Sequence, residues 1–354
     1  NQKGIEFYQS LVRELKAAGI EPMVTLYHWD LPYALYLQGG WKTPQIPDWF
    51  AAYTKIVVEA LSDQVQYWMT LNEPQCFVGI GHLQGRHAPF LDEPASLRPV
   101  TRHVLLAHAK AVQTIRQYAK LPPKVGYAPT GPVFSPCGDE SEAAIAEAYR
   151  RTMEVEGCYS ISWWCDPVLL GRVPEPMAKA LGADVFAPQE LELLRQPLGY
   201  LGFNVYNACA ALQPGSENTA NTWQGSPRTA MEWPITPDCI YWAIRFLNQR
   251  SGRPILITEN GMVNTEFVMQ AGRVHDPQRI DNVHRHLLAA RRALQEGDPL
   301  IGYTYWSIMD NYEWAEGYSK RFGLIYVDYR TMERIPKDSA AWYAHVNATS
   351  GSEL

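Results

Sequence analysis

The chain has 354 residues, 46% of them hydrophobic and 19% charged, a globular composition rather than a disordered one. Its formal net charge of −6 lacks the basic face that nucleic-acid binding needs. No run approaches the roughly 20 apolar residues of a membrane helix, so neither nucleic acid nor membrane is an expected partner.

In chain order, the first helical pattern is FYQSLVRELKAAG (7–19), with Leu11, Leu15 and Ala18 at helical spacing and Gly19 as its stop. Strand signals are IEPMVTLYHW (20–29), VQYWMTL (65–71), KVGYAP (124–129), YLGFNVY (200–206), PILITE (254–259) and LIGYTYWSI (300–308). Helical stretches lie between them, at 48–61, 99–120, 140–157, 188–195, 236–250 and 277–296. Strands apolar on both faces and separated by helices predict a parallel sheet covered by helices. No glycine-rich hinge or proline-rich linker interrupts the chain, so residues 1–354 are read as a single domain.

Two architectures fit this rhythm, an open doubly wound sheet and a β/α barrel. No G-x-G-x-x-G or G-x-x-x-x-G-K-[ST] follows a strand, which removes the main support for a nucleotide-binding open sheet. A barrel builds its active site from the C-terminal ends of its strands. There the polar residues gather: His28 and Asp30, Asn72 and Glu73, Asn204 and Tyr206, Glu259 and Asn260, Trp306 and Asp310.

Two of these strand ends carry a glutamate. A facing pair of carboxylates is what glycosidic bond cleavage needs, one to protonate the leaving oxygen and one to attack or stabilise the anomeric carbon. At about 5 Å and an effective dielectric near 20, their repulsion is roughly 3 kcal/mol. That holds one protonated while the other is ionised. From spacing alone, a capped structural glutamate explains each position as well. The abundance of aromatics, 12 Trp and 20 Tyr, also suits carbohydrate, whose C–H faces pack on rings.

The motifs TLNEP, ITENG, HWDLP and WSIMDNYEWAEGYSKRFGLIYVDY together resemble glycoside hydrolase family 1, the β-glucosidase-type retaining enzymes on a (β/α)8 TIM barrel. The resemblance extends to PKDSAAWY near the C-terminus. It implies Glu73 as general acid/base and Glu259 as nucleophile. It also implies that His28 and Asn72 bind glycone hydroxyls and that Tyr206 donates to the nucleophile, with Asn204 two residues before it. Trp306 then lies under the sugar ring, Glu313 and Trp314 read the 4- and 6-hydroxyls, and Trp233 stands at the aglycone entrance. Blander roles stay open: a core histidine at 28, barrel filling at Trp306, a surface aromatic at Trp233. Asp310 and Arg321 read as structural, holding the loop after the last strand.

The implied reaction needs no metal or organic cofactor and proceeds with retention through a covalent glycosyl-enzyme. The implied partner is a β-glycoside small molecule or oligosaccharide. Thioglucosidase relatives replace the acid/base Glu by Gln, whereas this chain keeps Glu73. Phospho-glycosidase relatives carry a phosphate pocket where this chain has Glu313, so a neutral sugar is expected. Glucose, galactose and fucose are not separated, and aglycone choice falls to variable loops such as 207–232.

One departure from the family pattern is large. Six strand signals are visible instead of eight, and a Gln that reads the 3- and 4-hydroxyls and an Arg beside the nucleophile have no counterpart. A six-stranded arc leaves raw edges at 23–27 and 301–306. A complementing N-terminal segment, or self-association through the gap, follows as an expectation. A sugar-binding remnant without hydrolytic activity is the alternative reading, and a transglycosidase a third. The cysteines at 76, 137, 158, 165, 209 and 239 show no ligand spacing and read as reduced thiols, which places the chain in the cytoplasm. It opens on Asn1, so no signal peptide is there to be read.

Overall fold

The structure is a computed structural model that describes residues 1–136, 140–210 and 225–354. Cys137 and most of the 207–232 loop lie outside the described residues. Strands are β1 (Met23–Tyr27), β2 (Tyr67–Asn72), β3 (Lys124–Ala128), β4 (Val133–Ser135), β5 (Leu201–Asn204), β6 (Ala208–Ala210), β7 (Ile255–Asn260), β8 (Leu300–Tyr305), β9 (Ile325–Val327) and β10 (Arg334–Pro336). Helices are α1 (Gln2–Ala17), α2 (Tyr33–Tyr36), α3 (Ile46–Leu61), α4 (Leu97–Tyr118), α5 (Glu142–Glu154), α6 (Ile161–Leu169), α7 (Glu175–Leu181), α8 (Pro188–Leu194), α9 (Cys239–Ser251), α10 (Pro277–Gln295) and α11 (Asp338–Ala348). All six strand signals read from the sequence are strands here; four stop short of the signal's end, while β2 and β7 run one residue past it, to Asn72 and Asn260.

The chain forms two compact units. One comprises Asn1–Gly131 with Met153–Phe203, the other Pro132–Thr152 with Asn204–Leu354. In the first, β1, β2 and β3 lie in that order and in parallel, with Met23 opposite Tyr67 and Tyr67 opposite Lys124. Helix α3 buries Phe50, Thr54, Val58 and Leu61, three and four residues apart, on one face. That face meets α4, whose Val100, Val104, Ala111 and Ile115 are buried. Helix α1 buries only Val12, and Gln9 Nε2 donates to Ala60 O of α3 at 3.0 Å. Leu11, predicted on its inner stripe, is 42% exposed, because the helix meets α3 along the Val12 edge.

In the second unit β7 runs parallel to β8, with Ile255 opposite Leu300 and Asn260 opposite Tyr305. Helices α9 and α10 pack together, and α9 ends on Gly252 in the left-handed conformation. β7 is almost wholly buried, but β8 ends its sheet and leaves Ile301 54% exposed. Among the described residues the strands fall into separate sheets of two and three rather than a closed ring of eight. Five cysteines, at 76, 158, 165, 209 and 239, are free among the described residues. No helix among them is long and apolar enough to cross a membrane.

A buried histidine makes this fold pH-sensitive. His108 of α4 is 0% exposed, with Nδ1 2.7 Å from Thr70 Oγ1 and its ring 4.8 Å from that of Tyr127. Burial pushes its pKa from 6.5 down to about 3. The folded chain therefore keeps the ring neutral, while the unfolded chain protonates it near pH 6.5. Its contribution is complete above that pH and is lost as pH falls from about 6.5 towards 3. A shift of this size is worth about 5 kcal/mol. Denaturant melts between pH 7 and pH 4 should show that loss, and His108→Gln should flatten the profile.

Candidate active site

Two corners of the first unit carry its functional groups. β1 runs out into His28 and Trp29, and Trp29 sits at φ +81°. β2 ends in Asn72, and the register of β2 against β3 shifts between Met69 and Asn72. Glu73 follows at φ +43°, a conformation that costs a non-glycine residue energy and that recurs at functional sites. Its backbone is over-determined: Glu73 N donates to Ala128 O at 2.8 Å, and Cys76 N donates to Glu73 O at 2.9 Å. A glutamate so placed is aimed by the scaffold rather than by its own rotamer preference.

The two corners are joined by polar contacts. Asn72 Nδ2 lies 3.3 Å from His28 Nε2, the amide donating and the ring nitrogen accepting. Trp29 Nε1 donates to Asn72 O at 2.9 Å. Burial lowers the pKa of His28 to about 4, so the imidazole is neutral at pH 7 and, with Nε2 accepting from Asn72, carries its proton on Nδ1. Asn72 and Glu73 are 3% and 8% exposed. His28 and Asp30 line a cavity of about 350 Å³ that Asn72 and Glu73 do not line. The structure thus sets His28 against Asn72, with Glu73 the next residue along the chain.

The second unit gathers the others around β7. Glu259 is its penultimate residue, and Tyr206 OH donates to Glu259 Oε2 at 2.8 Å. The backbone holds this arrangement, with Val205 N donating to Glu259 O at 3.0 Å and Asn260 Nδ2 to Val205 O at 2.7 Å. Asn204, fully buried, accepts from Thr258 Oγ1 at 2.5 Å. Its amide oxygen thus ties the end of β5 to β7. Trp233 packs against the Tyr206 ring at 5.2 Å, and Phe322 touches both rings at 5.8 and 6.0 Å. Trp233 is therefore part of an aromatic cluster beside Glu259, not an isolated surface ring.

Trp306 follows β8 directly. Its N–H donates to Asn260 O at 2.8 Å, and the peptide to Ser307 is cis. A Cβ at Gly261 would strike the Trp306 carbonyl, so the residue after Glu259-Asn260 must be glycine for the two segments to touch. Glu313 and Trp314 lie on the loop that follows, where Glu313 N donates to Gly317 O at 2.7 Å and Trp314 sits at φ +45°. Asp310 and Arg321 are paired at 2.6 Å behind this loop.

Sequence reading passed over four contributors. Trp29 and Cys76 adjoin recognised motifs, and the first stands inside HWDLP. Thr258 and Phe322 likewise lie within or beside quoted segments. Their signal was present, but only the folded contacts give it meaning.

The profile of glycosyl hydrolase family 1 matches residues 1–352. The chain is 38% identical over 360 residues to Beta-glucosidase A of Thermotoga maritima, covering 100% of this chain and 79% of that protein. It is 36% identical over 374 residues to a bifunctional beta-D-glucosidase/beta-D-fucosidase of Bifidobacterium breve, covering 97% and 78%. The structure of the Thermotoga maritima β-glucosidase in complex with deoxynojirimycin superposes with a TM-score of 0.88 at 38% identity, over 99% of this chain and 79% of that one. The α/β fold is thus that of the family's barrel enzymes. The chain belongs to glycosyl hydrolase family 1.

Proposed function

We propose that this chain is a retaining β-glycosidase that hydrolyses terminal non-reducing β-D-glucosyl residues, and also β-D-fucosyl or β-D-galactosyl residues, with residues 1–354 acting as one catalytic domain. Glu259 attacks the anomeric carbon while Glu73 gives its proton to the departing glycosidic oxygen. The C1–O bond breaks as the glycosyl ester forms. Glu73, now a carboxylate, takes a proton from water, whose oxygen attacks C1 and releases Glu259.

The observation that carries this reading is the 2.8 Å bond from Tyr206 OH to Glu259 Oε2, on a buried strand end of a chain 38% identical to a β-glucosidase. A phenol on one oxygen orients the carboxylate. His28, Asn72, Asn204, Trp306, Glu313 and Trp314 are assigned to glycone binding and its support, and Trp233 to the aglycone entrance.

A panel of p-nitrophenyl β-glycosides tests the proposal. Turnover of the glucoside well above that of Glu259→Gln is expected, and its absence overturns hydrolysis in favour of sugar binding alone. Within the same panel, Glu313→Ser should cost about 10²–10³-fold in kcat/KM on the glucoside, the loss of a charged hydrogen bond to hydroxyl groups. Unchanged kcat/KM for Glu313→Ser would remove that residue from glycone recognition.

A further inference from the structure

The residue three places after the acid/base is a cysteine whose thiol points back at it. Cys76 opens a π-helical turn (Cys76–Leu83), and its N–H closes onto Glu73 O at 2.9 Å. This turn also brings Cys76 Sγ to 3.1 Å from Glu73 Oε2, with the thiol as donor. The intervening Gln75 is engaged elsewhere: its side chain bonds Thr130 O, and Thr130 N donates to Gln75 Oε1 at 3.3 Å. Glu73 is 8% exposed, so water does little to set the direction of its carboxyl group.

We propose that Cys76 is a positioning residue for Glu73, its thiol holding Oε2 as an acceptor so that the transferable proton resides on Oε1. This rests on the assignment of Glu73 as acid/base. An oxygen that accepts from a thiol is disfavoured as the protonation site, because the donated hydrogen bond lowers its basicity. The proton that reaches the leaving group therefore starts from Oε1, and Oε1 takes the proton from water in the second step. The S–H bond is made in both steps and is stronger when the carboxylate is charged. Cys76 thus favours the base form needed for deglycosylation while fixing the geometry of the acid form.

Other titratable groups surround this corner. Tyr159 and Cys158 come from the turn Gly157–Tyr159, where Cys76 and Arg86 both act on the Tyr159 phenol. His28 reaches the corner through Asn72.

The test has two arms. In the first, the pH dependence of kcat/KM is measured for wild type, Cys76→Ala and Cys76→Ser. Loss of the donor raises the pH at which Glu73 ionises, so the alkaline limb of Cys76→Ala should move up by about half a pH unit. Cys76→Ser, which keeps a donor, should return it towards wild type. An unmoved limb in Cys76→Ala, or a Ser variant indistinguishable from the Ala variant, overturns the proposal.

The second arm needs no turnover. Alkylation of Cys76 by iodoacetamide is followed by peptide mass across pH in wild type and Glu73→Gln. A thiol beside a carboxylate ionises at higher pH, so the Gln variant should react with a profile shifted down by about half a unit. Coincident profiles overturn the Cys76–Glu73 contact. Wild type that fails to turn over glycosides but shows this shift overturns the glycosidase assignment and leaves the contact standing.

Discussion

Glu259→Gln is expected to lower kcat on p-nitrophenyl β-glucoside by about 10⁴-fold or more, near 5.5 kcal/mol of activation free energy. The exchange conserves shape. The amide oxygen can still accept the Tyr206 phenol, which lies 2.8 Å from Glu259 Oε2, and the backbone bonds around residue 259 do not involve its side chain. What is lost is the negative charge and the nucleophile: a carboxamide oxygen attacks an anomeric carbon far more slowly than a carboxylate. The thermal midpoint should therefore stay close to that of wild type while turnover disappears. Steady-state rates and a melt of the same preparation check it. A Gln variant that retains more than about a tenth of wild-type kcat would mean that another group attacks.

Six strands were legible because their apolar runs are short and followed by polar residues, whereas Val133–Ser135, Ala208–Ala210, Ile325–Val327 and Arg334–Pro336, each three residues long, were not. YWMTL running into Asn72 and Glu73 is the clearest case, since nothing but a strand end accounts for that change of polarity. Four helices were not legible, for different reasons, and Tyr33–Tyr36 is a single turn of four residues. Ile161–Leu169 is buried on every side and contains Pro167, so it shows no amphipathic period and carries a residue that argues against a helix. Glu175–Leu181 is only seven residues long. Asp338–Ala348 carries Trp342 and Tyr343 and was read as a family motif rather than as an element. At the site, the identities of Glu73 and Glu259 could be read from motifs, but their supports could not. The thiol of Cys76 and the indole of Trp29 reach their partners only because Glu73 and Trp29 adopt positive φ, a backbone state that propensity does not reveal for Glu or Trp.

Removal of the Asp310 carboxylate should destabilise the second unit more than any surface change. Asp310 is 4% exposed and accepts at both oxygens: from Lys337 Nζ at 2.8 Å and Gly323 N at 3.0 Å on one, from Arg321 Nη1 at 2.6 Å and Val327 N at 3.3 Å on the other. Lys337 is 2% exposed and also pairs with Glu266, which in turn accepts from Arg279 Nη2 at 3.1 Å. Arg279, 0% exposed, donates to Asp276 Oδ2 at 2.6 Å. Three cations and three anions thus balance in the interior. Burial, with Arg279 nearby, pushes the Lys337 pKa down, and Glu266 and Asp310 oppose that by favouring the charged ammonium. Asp310→Ala leaves Lys337 and Arg321 without their shared partner, and a buried pair broken on one side costs about 3–5 kcal/mol. That corresponds to a Tm lower by roughly 10 °C. Glu156→Ala breaks the exposed pair with Lys179 and should leave the midpoint unchanged. The same network carries the loop of Trp306, Glu313 and Trp314, because Asp310 N donates to Ile325 O at 3.0 Å and a Cβ at Gly323 would collide with the backbone of Asp310. Loosening it should therefore raise KM for the glycoside even at temperatures where Asp310→Ala remains folded. A variant that melts with wild type, or one that is destabilised yet keeps wild-type KM, would show that this buried charge cluster neither anchors the unit nor positions the glycone loop.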